Sequence, residues 1–89
     1  MNNTMVGAWT EFSVTMSSED KSVFQEALNG LTGVDYSPLC VAHQVVQGTN
    51  YKFFCNAKVV YPDAPNKAAI VEIYKPLQDK AHIVSIEQI

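Results

Sequence analysis

A chain of 89 residues, 47% apolar and 17% charged, is long enough for one modest core and too short for two, and its composition argues against disorder. The net charge of −3, with no basic cluster, speaks against nucleic acid or an anionic membrane as partner. No stretch reaches the roughly 18 to 20 apolar residues of a membrane-spanning helix. The opening Met1-Asn2-Asn3-Thr4 lacks the charged and apolar regions of a secretory signal, so the expected location is the cytoplasm, or outside the cell if a leader has been removed.

In chain order, Trp9 to Met16 alternates, with Thr10, Phe12, Val14 and Met16 on one face, and reads as a short first strand. Ser17-Ser18-Glu19-Asp20 is a helix start: the hydroxyls can accept free amide hydrogens, and the acids suit the positive end of the helix dipole. Val23, Phe24, Ala27, Leu28 and Leu31 then form one apolar stripe, and Asn29-Gly30 with Gly33 supply the stop. Pro38 to Val46 reads as a strand, followed after a turn by a long one over Thr49 to Tyr61, with Tyr51, Phe53, Cys55, Ala57 and Val59 on its apolar face. Pro62 to Asn66 is a turn, because proline cannot donate into a ladder. Ala68 to Lys75 alternates again, with Ala69, Val71 and Ile73 together, and His82 to Ile89 closes the chain with Val84 and Ile86 expected inside. Short turns imply antiparallel pairing, and the helix stripe is the one cover available for the apolar sheet face. The expected fold is therefore α+β over residues 1–89 as one domain, one helix on a four- to five-stranded antiparallel sheet; an exposed N-terminal trunk over residues 1–8 is an expectation that a family resemblance, given below, implies.

Cysteine and histidine invite a catalytic or metal reading. Cys40 and His43, three apart on a strand, project to opposite faces and cannot chelate one ion. No flanking motif pairs Cys55 with His82 as nucleophile and base. A reversal at Gln47-Gly48 would set Cys40 opposite Cys55, and two buried free thiols are the expected state, with a bridge between them as the alternative. His43 is expected on the solvent side of its strand. The expectation is a protein that is not an enzyme and uses no cofactor or metal.

Gln44-Val45-Val46-Gln47-Gly48-Thr49-Asn50-Tyr51 stands apart from the rest. A turn in water is normally polar, yet this one ends a strand in two valines and adds a glycine able to take positive φ. An apolar hairpin tip on a small domain is a candidate contact surface. Its wording resembles the Gln-x-Val-x-Gly hairpin of the cystatins, inhibitors of papain-like cysteine proteases, matched here by Gln44, Val46 and Gly48. The continuation Thr49-Asn50-Tyr51 is similar to that of the stefins, the cystatins without disulfides. The order strand, helix, four strands is also that of the cystatin fold, in which the sheet wraps the helix.

That resemblance implies a wedge of three segments. Its N-terminal part would be Met5, Val6 and Gly7, its first hairpin Gln44, Val45, Val46, Gln47 and Gly48, and its second hairpin the stretch from Pro76 through Leu77 to His82. The implied function is reversible, tight-binding occlusion of a papain-like cysteine protease. The alternative is a non-inhibitory module of the same fold, or a monomer that exchanges segments into a dimer through the valine-rich hinge. Three features depart from the family pattern. Gln47 replaces the usual alanine at the tip, and the tryptophan many cystatins carry in the second hairpin is absent, as it is in stefins. The helix and the following turn, Leu31 to Tyr36, are also shorter than usual for the family.

Overall fold

The structure, a computed structural model, describes residues 7–89. It is an α+β arrangement: one helix, α1 (Ser18–Leu28), packed on an antiparallel sheet of β1 (Val34–Val46), β2 (Gly48–Val59), β3 (Lys67–Lys75) and β4 (His82–Gln88), ordered β1-β2-β3-β4. Every neighbour in the sheet is also a neighbour in sequence, so each connection is a hairpin.

The helix begins where its capping chemistry dictates. The Ser17 hydroxyl accepts the Asp20 amide at 3.0 Å, and the Asp20 carboxylate accepts the Ser17 amide at 2.9 Å, which closes a capping box. Asn29 caps the other end, and Gly30 follows at φ 85°, a conformation glycine adopts without penalty. Leu31 therefore falls beyond the helix and stays exposed rather than completing the stripe. Val23 and Phe24 are buried, and Phe24 meets Phe53 edge to face at 4.8 Å between ring centres. Val41, Tyr51, Phe53, Cys55, Val71, Ile73 and Ala81 complete the core, with Met16, Ala27, Leu28 and Tyr36 packed around it.

Two side-chain bonds fix how the helix lies. Near its start, Asp20 Oδ1 is 2.7 Å from His43 Nε2 on β1. In its second half, Glu26 Oε1 accepts the Ala81 amide, beside β4, at 2.8 Å. The helix thus crosses the sheet from the β1 side to the β4 side instead of running along it. Beyond it, the inner sheet face continues uncovered into a cleft of about 280 Å³ whose walls include Val34, Tyr36, Ala57, Val59 and Ile86.

The structure corrects several expectations. Trp9 to Met16 forms no regular strand; Gly7, Thr10 and Ser13 donate to the carbonyls of Val45, His43 and Val41, an advance of three residues against two. Each interval holds an extra residue, so alternation is lost, and Phe12 and Val14 remain exposed. The first hairpin is one residue tighter than expected: Val46 pairs with Gly48, and an irregularity at Pro38/Cys40 sets Cys40 opposite Phe54 and Cys55 opposite Pro38. Both thiols are free, Cys55 buried and Cys40 half-buried. Burial, with Cys40 nearby, pushes the Cys55 thiol up to about 12, so it stays protonated at neutral pH. In β4 a second irregularity leaves Val84 as the extra residue, 54% exposed, while Ile83 and Ile86 face Ile73 and Val71. Ile86 then points inward but beyond the helix, and is exposed as well.

Candidate functional site

The three segments singled out in the sequence meet at the end of the sheet where β1 turns into β2. Gly7 donates its amide to the Val45 carbonyl at 3.0 Å. A Cβ on Gly7 would lie 3.1 Å from that same oxygen, so glycine is what lets the leading segment run this close to β1. Met5 and Val6 lie outside the described residues. Of the expected trunk, Gly7 is half-buried against β1 and Ala8 is exposed.

Gln47 alone separates β1 from β2. Gly48 is buried with φ 97°, and a Cβ there would sit 2.3 Å from the Lys75 carbonyl oxygen and 3.1 Å from Pro76 Cα. Both the dihedral and the close approach demand glycine. The approach also sets the first hairpin against the root of the second, so Gly48 and Pro76 are neighbours. At this edge Val45 is 66% exposed and Leu77 74% exposed, while Val46 and Pro76 are half-buried. Gln47 and His82 are exposed, and Gln44 is half-buried with its side-chain oxygen accepting from Asn50 Nδ2 at 2.9 Å. Two large aliphatic side chains therefore stand in solvent on adjoining backbone turns.

The second hairpin has its own polar frame. The Lys75 ammonium donates to the Asp79 carbonyl and, at 3.4 Å, to that of Pro76. The Asp79 carboxylate accepts the Lys80 amide at 2.7 Å, and Glu26 holds the Ala81 amide. A loop rich in polar residues is thereby tied down while Leu77 is left free.

His43, expected in solvent, instead belongs to the bond that docks the helix. The Asp20 carboxylate can only accept, so the imidazole Nε2 carries the hydrogen. Burial alone would raise the Asp20 pKa, but the bonds from His43 and the Ser17 amide outweigh it and hold the carboxyl below its ordinary 3.8. His43 also meets the Tyr51 ring edge to face at 5.1 Å, and its amide donates to the Thr10 hydroxyl at 2.9 Å.

Sequence reasoning overlooked the parts played by Tyr74, Lys75 and Glu26. Each acts on a group distant along the chain or on a backbone carbonyl, and neither kind of partner leaves a pattern in composition or periodicity. Among the described residues, no group of three or more His, Cys, Asp or Glu side chains could hold a metal ion, and no helix is long and apolar enough to cross a membrane. Comparison with protein-family models, with curated proteins and with solved structures gives no match.

Proposed function

We propose that this chain is a reversible, occluding inhibitor of papain-like cysteine proteases, with the edge formed by Gly7, Val45 to Gly48 and Pro76-Leu77 as the wedge. The carrying observation is the convergence of those separated segments, with Val45 and Leu77 exposed on constrained turns. The resemblance of Gln44 to Tyr51 to the stefin hairpin supports the same reading, as does one helix on a four-stranded antiparallel sheet.

The physical case rests on desolvation and pre-order. Full burial of Val45 or Leu77 contributes roughly 1.5 to 3 kcal/mol each. Association costs about 4 to 15 kcal/mol, so those contacts cannot suffice alone. Backbone hydrogen bonds to the cleft and turns that are rigid before binding supply the difference. An inhibitor of this kind blocks by filling the groove, and no bond in it is hydrolysed.

Titration of papain with the full chain tests the proposal. Activity should fall reversibly and in competition with substrate, and Val45→Asp should weaken inhibition by about tenfold or more. Papain that stays fully active under saturating protein would rule the proposal out.

A further inference from the structure

On the outer sheet face, directly behind the first turn, Gln44, Asn50, Tyr74 and His82 stand opposite one another across all four strands. The Gln44 and Asn50 amides are bonded to each other, and the Tyr74 and His82 rings meet edge to face at 5.7 Å. Tyr74 does something the others do not: its hydroxyl donates to the Gln47 carbonyl. Gln47 lies between the strands, outside the β1–β2 ladder. A turn carbonyl without a ladder partner is open to water or to a side-chain donor, and here it takes the side chain. The donor comes from β3, one residue before the Lys75 carbonyl against which Gly48 is pressed. The next side chain along, Lys75, holds the second hairpin by its ammonium. Two successive residues of β3 therefore control two different tips.

We propose that Tyr74 is a positioning residue for the contact edge: its hydroxyl, bonded to the Gln47 carbonyl, locks the tip of the first hairpin to the root of the second so that both reach a protein partner as one pre-ordered body. The inference rests on the inhibitor reading for what that partner is, and on the bond geometry alone for the lock. Without the hydroxyl, Val46 and Gly48 keep their strand pairing below the tip, but Gln47 loses the tie across to β3. Binding must then order the tip as it occurs, which slows productive association more than it hastens dissociation.

Tyr74→Phe removes the hydroxyl and keeps the ring against His82. Amide hydrogen exchange on the full chain should quicken at Val46 to Gly48 by about three- to tenfold, the range expected for one neutral hydrogen bond. Amides that open locally far from the tip, such as those at the uncovered ends of β2 and β4, should stay unchanged, while core amides that open only with the whole fold, such as those of Phe53 and Val71, should quicken by no more than that factor. A uniform rise across the sheet would mean that Tyr74 serves general stability only and would overturn the proposal, as would unchanged exchange at the tip. His82→Ala, which spares the hydroxyl, should leave tip exchange as in the parent; a rise equal to that of Tyr74→Phe would show that ring packing, not the bond, sets the tip. Papain association and dissociation rates on the same proteins separate the two levels. If the parent chain inhibits and Tyr74→Phe associates several-fold more slowly, both stand. If the parent chain does not inhibit papain, the inhibitor reading falls while tip exchange still decides the lock.

Discussion

The inner face of this sheet has two halves that read alike in sequence and behave differently in space. Phe53 and Val59 share one face of β2, yet Phe53 is fully buried and Val59 is 40% exposed. Val71 of β3 is sealed, and its partner Ile86 on β4 opens onto the cleft. The difference is where α1 lies. Its stop at Asn29-Gly30 limits its length, and the bonds of Asp20 to His43 and Glu26 to Ala81 set it across the hairpin end of the sheet. An alternating strand defines which side chains could be buried, but only a covering layer makes them so.

This contrast can be broken by substitution. The largest effect should come from Phe53→Ala, which empties the contact with Phe24 and should cost about 3 to 5 kcal/mol by urea unfolding. Next comes Gly48→Ala: positive φ and the Lys75 carbonyl both oppose a Cβ, for about 3 kcal/mol and a displaced first tip. Asp20→Ala should cost about 2 to 3 kcal/mol, because it removes the carboxylate that accepts the Ser17 amide in the capping box and leaves the His43 ring without its acceptor.

Acid sharpens that third case. The folded state holds the Asp20 carboxyl below its ordinary 3.8, so the group adds stability at higher pH and loses it as pH falls through the depressed value. Thermal midpoints below about pH 4 should therefore drop more steeply in the parent chain than in Asp20→Ala. Parallel curves would show that the pair does not couple folding to pH. Smallest of all is Val59→Ala at the uncovered end, expected to cost under about 1 kcal/mol. A cost rivalling that of Phe53→Ala would mean that something covers the far half in solution and would erase the contrast.

The contact edge shows the same division between local and distant causes. Gly48 was legible because a chain reversal calls for positive φ, and Val45 because a valine at a turn is conspicuous. That Gly48 also touches Lys75, and that Tyr74 reaches Gln47, could not be read, since both depend on how β2 and β3 register. The two cysteines illustrate how little error is needed. A turn one residue tighter and an irregularity beside Leu39 replace the expected Cys40–Cys55 pairing with Cys40 facing Phe54.

Short-range chemistry determined the helix cap at Ser17, the apolar faces of β2 and β3, the turns and the order of the elements, because each depends on neighbours within a few positions. Tertiary structure alone decided that Trp9 to Met16 follows β1 without becoming a strand, that His43 clasps Asp20, and which half of the sheet the helix shelters. Those outcomes turn on extra residues in a ladder and on bonds between groups far apart along the chain. Periodicity carries no information about either, because one inserted residue reverses every side chain beyond it.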